Sequence, residues 1–430
     1  MPSRAVVHGL TCRSATGESR LGWSALAADG SVAWRPVVHR VSAPSAILEE
    51  ASAGLPAGAA RQEAIAARLE RLGVDLVWGE PDVVPDATSL GQIAYARGVS
   101  SVDLLRSDAS LVRDLQIGSW FDSPWLPRLI RRLRPFASLP DRATKRNGRR
   151  FRLDAEFWSG VRSRATGREW ARLTTSSYVV LLYHRIATDV SPDEERLHVP
   201  PGAFDRQSRM LRLLRFRPLR PDELTRFHED PTATLPRRRY VVTADDGFLD
   251  AVDAFRRHTA LDPLVFVITQ LVAARRVPWS PAPLASWAQL RAASREGVAV
   301  GAHTRSHPSL PDATDAQLWD ELTGSIRDLR QLDGAVPIVA YPHGRHDASV
   351  REAAAGAGFR AGFSTAPGRN AAGTDPYSLR RISVKAWDSR VSFLWKVVTG
   401  QPLPPAWERI RFRGYWRRLR RGSRPARTSS

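Results

Sequence analysis

Cysteine is almost missing from this chain: among 430 residues, Cys12 is the single thiol. No intramolecular disulfide can form, and any zinc site must be built without a set of cysteines. Long apolar runs are missing as well. No stretch approaches the roughly eighteen residues that mark a membrane-spanning helix, so none is expected. The opening Met1-Pro2-Ser3-Arg4-Ala5-Val6-Val7-His8 lacks the basic start and apolar run of an export signal, and the expectation is a cytoplasmic protein. The N-terminal third contains no phosphate loop, no Gly-x-Gly-x-x-Gly and no nucleophile elbow, which removes the commonest nucleotide and serine-hydrolase readings there. Acidic charge is scarce: Asp+Glu number 44 against Lys+Arg 64, a formal net charge of +20. That surface favours anionic partners. With no recognition motif for nucleic acid, the charge alone is a weak argument for DNA or RNA.

The composition that is present belongs to a folded protein, with 43% hydrophobic residues and 14 tryptophans. The length predicts two domains. Leu21 to Val41 reads as two strands around a turn at Asp29-Gly30. Pro56 to Leu72 has helical spacing and is stopped by Gly73, Val74 to Trp78 follows as a strand, and Leu90 to Ala96 as a further helix. These predict a small α/β domain over residues 1–123. Residues 124–175, rich in proline and arginine, read as a basic connector. In the tail, 401–430, arginines are interleaved with Phe412, Tyr415 and Trp416. That pattern suits an anionic membrane surface, suits RNA, and suits a solvated basic tail.

Residues 176–400 alternate strand and helix patterns, beginning with the apolar run Ser176 to His184, and predict a parallel α/β sheet or barrel. Three strand ends carry chemistry. Arg239 to Thr243 runs into Ala244-Asp245-Asp246-Gly247, and adjacent carboxylates repel unless a proton or a cation separates them. After Gly297 to Gly301 come His303 and His307, four apart just past a strand, a spacing that lets two imidazoles face one cation. Zinc suits such ligands, and cobalt can substitute. Pro337 to Tyr341 ends in Pro342-His343-Gly344-Arg345-His346, a turn at the same presumed rim.

This set resembles the NodB-homology polysaccharide deacetylases, carbohydrate esterase family four, over about residues 176–385. The family's T-F-D-D-G is similar to Thr243-Ala244-Asp245-Asp246-Gly247, and its H-[ST]-x-x-H to His303-Thr304-Arg305-Ser306-His307. The resemblance implies an irregular seven-stranded (β/α) barrel. It implies Asp245 as general base, and Asp246, His303 and His307 as ligands of a divalent metal, zinc first. It also implies a substrate-binding turn of Tyr341, Pro342 and Gly344, with the His343 amide aimed at the oxyanion. Leu182-Tyr183-His184 looks like the family's first strand, where the histidine is not usually a ligand.

The chain also departs from the pattern. Ala340-Tyr341-Pro342-His343-Gly344 stands where R-P-P-Y-G is common, so the arginine that orients the base is missing, with Arg345 and Arg381 as replacements. Ala244 replaces an aromatic residue. The late L-x-H motif has no counterpart near Ile382 to Trp387, which leaves His343, His346 or metal-held solvent as proton donor. The expected function is metal-dependent removal of acetyl groups from an N-acetylated sugar in glycan or exopolysaccharide biosynthesis. The alternative keeps the fold without the catalysis, as a subunit that binds sugar or scaffolds a biosynthetic complex.

Overall fold

In the computed structural model, residues 87–121, 148–188 and 198–404 are described continuously. Shorter pieces precede them: 6–7, 11–12, 18–20, 23–24, 37–42, 50–51, 53–56, 60–71 and 76–79. The Asp29-Gly30 turn, the basic stretch 124–147 and the tail beyond Pro404, with the membrane contact expected of it, lie outside the described residues. No helix among the described residues is long and apolar enough to cross a membrane. The chain divides into two compact units: 1–176 with 231–234 and 371–373, and the remainder.

The first unit has a four-stranded antiparallel sheet in the order Thr11–Cys12, Glu18–Arg20, Val37–Ser42, Leu76–Gly79. Strands appear on both sides of the predicted Asp29-Gly30 turn, and the antiparallel pairs Glu18–Ser42 and Ser19–Val41 bracket it. Trp23–Ser24 pairs with Val6–Val7, and Val37–Ser42 pairs with Glu18–Arg20 and Leu76–Gly79. A strand pattern states that a segment is extended; its partner is chosen by the rest of the fold. The helix expected at Leu90 to Ala96 extends over Ala87–Ser107, through Gly91 and Gly98. Glycine is poor in an isolated helix, but here it serves a close crossing. A Cβ at Gly98 would stand 2.0 Å from the Phe157 carbonyl oxygen, and one at Gly160 would stand 2.0 Å from that of Tyr95.

The partner helix, Gly148–Arg164, and the next, Gly167–Thr174, lie in the stretch read as connector. They belong instead to the first unit, through an aromatic knot: Trp158 and Trp170 stack edge-on against Trp120, with centroids 4.7 and 5.7 Å away. Arginine density in the sequence hid these indoles.

The second unit is the predicted (β/α) architecture. Its parallel strands follow the order Ala361–Phe363, Ala335–Ala340, Ala299–Ala302, Leu264–Val267, Arg239–Ala244, Ser177–Tyr183. Asn370–Ala371 makes the seventh in the row; off it, Arg217–Pro218 pairs with Arg239–Ala244 and Ile382–Ser383 with Ser177–Tyr183. The sheet curls, and one segment ties its two ends. Leu379 bridges to Phe363, while Ile382 and Ser383 pair with Leu181 and Leu182.

Each strand alternates its faces. Val179, Leu181, Val242, Val265, Val300 and Val339 join the core beneath the helices. The opposite face holds Phe266, Gly301 and Phe363, and its register carries on through Thr243 to Asp245 and through Gly301 to His303. Gly301 is small for a reason: a Cβ there would lie 2.7 Å from the Phe266 ring and 2.8 Å from the Ile338 carbonyl oxygen. Gly301→Ala should therefore lower stability by about 1–3 kcal/mol through overpacking. A thermal melt checks this, and an unshifted midpoint would show that the inner face has slack.

Candidate active site

Asp245 follows directly on the strand Arg239–Ala244, and its amide still donates to the Tyr183 carbonyl at 3.1 Å. The chain then reverses at once. Asp246 has φ 69° and Gly247 φ 80°, so consecutive carboxylates leave the strand end in different directions. Both are buried. Left-handed backbone at a non-glycine residue costs of order 1–3 kcal/mol and persists only where the surroundings impose it. Of the eight such residues described, four are here: Asp246, Thr304, His307 and His343.

Asp245 is gripped by Arg381. Nη1 donates to Oδ1 at 2.6 Å and Nη2 to Oδ2 at 2.8 Å, while Nε donates to the Ser364 carbonyl at 2.8 Å. Arg381 is wholly buried, its guanidinium 5.8 and 5.7 Å from the Phe266 and Phe363 ring centroids. Burial pushes the Asp245 carboxyl up, but the guanidinium charge and its paired hydrogen bonds outweigh this and hold it at about 2. Of the two arginines weighed as replacements, Arg345 is elsewhere. It bonds Ser309 Oγ and Asp312 at the surface, each at 2.6 Å.

Asp246 has no such cation. Burial, with the Asp245 charge next to it, pushes its carboxyl up to about 8. Around it stand His303 Nε2 at 3.5 Å and His307 Nε2 at 3.7 Å from Oδ1. One ligand atom from each of the three residues lies within 4.8 Å of the others, the one such group found among the described residues. The His303 tautomer is set from behind: Nδ1 donates to the Ala340 carbonyl at 2.7 Å, leaving a lone pair on Nε2 toward Asp246. Burial lowers the pKa of His303, and burial with His303 and His343 nearby lowers that of His307 to about 3. Both imidazoles are neutral at neutral pH and free to coordinate. An uncompensated buried carboxylate facing two neutral imidazoles is a donor set that fits a divalent cation of the zinc type.

The turn carrying the histidines is held by a residue that the motifs did not reveal. Glu321, on the helix Asp315–Leu329, accepts from the Arg305 and Ser306 amides at 2.7 and 2.9 Å and from the Ser306 hydroxyl. Thr304 Oγ1 accepts from the His307 amide at 3.1 Å. An acid on an amphipathic helix gives no sequence signal for this task. Trp279 is a second omission; its ring lies 4.7 Å from that of His307.

The third strand end contributes through its backbone. Tyr341 is fully buried, and its hydroxyl donates to the Tyr377 carbonyl at 2.9 Å, so the side chain, expected at the substrate, faces the interior instead. Pro342 is buried, and a Cβ on Gly344 (φ 71°) would stand 2.2 Å from Thr365 Oγ1. Between them His343, with φ 57°, carries the first N–H of a tight turn, since Pro342 has none to donate. Its exposed ring lies 4.7 Å from His307. His346 is directed away, beside Tyr341, with Nε2 3.2 Å from the Ser378 hydroxyl. His184 stands in the field of Asp245 and His303, lowered to about 4 by burial, and is not one of the three converging ligands.

Residues 233–362 match the family model described as polysaccharide deacetylase. That segment holds the acid doublet, both histidines and the 341–344 turn, and stops short of Arg381. No curated protein gives a significant match. Among solved structures, a Streptococcus pyogenes deacetylase, PplD, in complex with acetate is similar, with 26% identity and a TM-score of 0.47. The alignment covers 53% of this chain and all of that one. IcaB from Ammonifex degensii is 22% identical over 53% of this chain and 97% of that one, with a TM-score of 0.45. The BpsB deacetylase domain from Bordetella bronchiseptica is 20% identical over 48% and 96%, with a TM-score of 0.39.

The raised Asp246 carboxyl gives metal binding a pH dependence with a definite sign. Below about pH 8 its proton must leave before a cation can bind, while His307 is already deprotonated and burial holds His303 below its ordinary value. Apparent zinc affinity should climb about tenfold per pH unit between pH 6.5 and 7.5. Competition against a chelator reads this directly, and a flat profile would remove Asp246 from the ligand set.

Proposed function

We propose, from the premise that residues 233–362 belong to the polysaccharide deacetylase family, that this protein is a metal-dependent hydrolase removing acetyl groups from an N-acetylated sugar. The observation that carries the reading is the division of labour between adjacent carboxylates. Asp245 is ionised and pinned by Arg381; Asp246 faces two imidazoles and lacks a cation. Two acids with environments that push their pKa values apart are suited to different tasks.

In this reading Asp246, His303 and His307 would hold the ion, zinc or cobalt. When bound, it supplies Lewis acidity that polarises an amide carbonyl and acidifies water. Asp245 orients that water and takes its proton as a C–O bond forms at the acetyl carbon. A carboxylate near pKa 2 is a weak base, so its part is to be ionised and correctly aimed, which the Arg381 fork ensures. The His343 amide would donate to the oxyanion. The C–N bond then breaks, and the departing amine takes a proton at the rim, where His343 is the exposed imidazole bordering the cluster. The products are acetate and a free amino sugar. Glycan or exopolysaccharide biosynthesis is the setting we assign, with the cytoplasm as its location.

Asp245→Asn should lower acetate release by at least about a hundredfold while zinc stoichiometry, read by elemental analysis, stays at the wild-type level. Retained turnover would show that Asp245 is not the base. His303→Ala combined with His307→Ala should lose both metal and activity.

Arg381 acts through Asp245, and its replacement should leave a mark that mere loss of fold would not. Arg381→Ala strands a buried carboxylate, a change worth about 3–5 kcal/mol in stability. The acid limb of the pH–rate profile should also move upward, because the interaction that most opposes burial at Asp245 is then gone. Arg381→Lys, which keeps the charge without the fork, should shift the limb less. An acid limb unmoved in both variants would show that Arg381 does not set the charge of Asp245.

A further inference from the structure

The first unit contributes none of the residues of the site described above, yet it holds a half-open cavity of about 340 Å³. That size falls among small-ligand pockets, which span about 300–1,000 Å³. Every lining residue belongs to this unit, the 231–234 segment included. The floor is aliphatic: Val102, Val112 and Leu173 are buried, with Leu105 and Ala109 half-buried beside them. None of these five has a side chain that can hydrogen-bond. The mouth is different, with Arg106, Arg168 and Arg172 set against the single carboxylate of Glu169.

Bonds across and behind the cavity hold its walls in place. Arg106, on the helix Ala87–Ser107, reaches Glu169 on the helix Gly167–Thr174. Its Nε and Nη2 donate to the two carboxylate oxygens at 2.8 and 2.9 Å. Behind the turn Ala109–Arg113, Asp108 accepts from the Ser110 amide at 3.0 Å and from Arg68 Nε and Nη2 at 3.1 and 2.8 Å. Arg172 Nη1 donates to the Ala233 carbonyl. Arg168 stands apart from this network. It is exposed, and among the described residues it has no hydrogen-bond or ion-pair partner. Because Glu169 is already matched by Arg106, the rim at Arg168 is positively charged.

An aliphatic floor below an unmatched guanidinium fits a ligand with an apolar chain and an anionic head. The chain gains by leaving water, and the planar fork of arginine suits the oxygens of a phosphate or carboxylate. A peptide fits less well, since its N–H and C=O groups would meet walls that cannot satisfy them. The chain's own stretch 124–147, with Arg128, Arg131, Arg132 and Arg134, carries the same sign of charge as the rim.

We infer that this cavity is a binding site for an anionic single-chain amphiphile, with the chain against Val102, Val112 and Leu173 and the head at Arg168. The inference stands on residues of the first unit alone and does not rest on the deacetylase reading.

The test uses the full chain as wild type, Ala109→Trp and Arg168→Glu, with thermal melts to compare their folding. Dodecyl phosphate, kept below its micelle concentration, is titrated by calorimetry beside inorganic phosphate and dodecyltrimethylammonium. The wild type should bind one dodecyl phosphate per chain, at least about tenfold more tightly than either control. Ala109→Trp fills the cavity and should weaken that binding at least about tenfold. Arg168→Glu changes an exposed side chain, so its melting midpoint should hold while the preference for the anion over the cation disappears. If Ala109→Trp melts early, Arg168→Glu alone decides. Dodecyl phosphate affinity equal in all three proteins overturns the site. Inorganic phosphate bound as tightly as dodecyl phosphate overturns the apolar part, and equal affinity for the cationic amphiphile overturns the anionic part. An acidic amphipathic peptide that binds the wild type but not Ala109→Trp, where dodecyl phosphate does not bind at all, replaces the amphiphile with a protein partner.

Discussion

A fully buried ion pair governs this molecule's second unit. Arg381 and Asp245 are both shut away from water, and breaking such a pair is far costlier than never having made it. The guanidinium can be tolerated there because every side of it is used. Its fork meets the carboxylate, its Nε meets the Ser364 carbonyl, and its faces lie near Phe266 and Phe363. The segment that brings Arg381 in is the same one that ties Phe363 to Leu181 and Leu182. Closing the curled sheet and charging the base are thus a single structural event.

The second carboxylate depends on the first. Once Arg381 has neutralised Asp245, Asp246 is left as a buried acid with no positive partner, and it either keeps a proton or receives a cation. The backbone around it is strained in the direction this requires. Asp246, Thr304 and His307 all adopt left-handed conformations that aim three ligand atoms at one point, held there by Glu321 and by the Ala340 carbonyl. Such strain must be offset by the surrounding fold, which explains why the residues that hold the site outnumber the residues that form it.

Much of this was legible from spacing, but unevenly. The acid doublet after a strand and the His-x-x-x-His after another are local signals, and the structure brings those four side chains together. Arg381 was legible only as one of two arginines, since nothing in its neighbourhood distinguishes it from Arg345. Burial separates them, and burial of an arginine is a property of the closed sheet. Tyr341 was read as a substrate contact from its place in the turn, whereas its side chain packs inward and bonds Tyr377. In the first unit, arginine density concealed the helices Gly148–Arg164 and Gly167–Thr174, and Gly98, placed for backbone contact with Phe157, left the helix expected at Leu90 to Ala96 shorter than it is.

What the sequence by itself determined is therefore the chemistry available at three strand ends, together with the alternation that directs Asp245 and His303 to the inner face. These follow from dihedral preferences and a two-residue period, which act over a few positions. Only the tertiary structure decided which arginine meets Asp245, where His346 and Tyr341 point, and that Trp279 stands beside His307. Those outcomes depend on contacts between residues 28 to 136 positions apart. No local rule reaches that far; the closing of the sheet and the exclusion of water do.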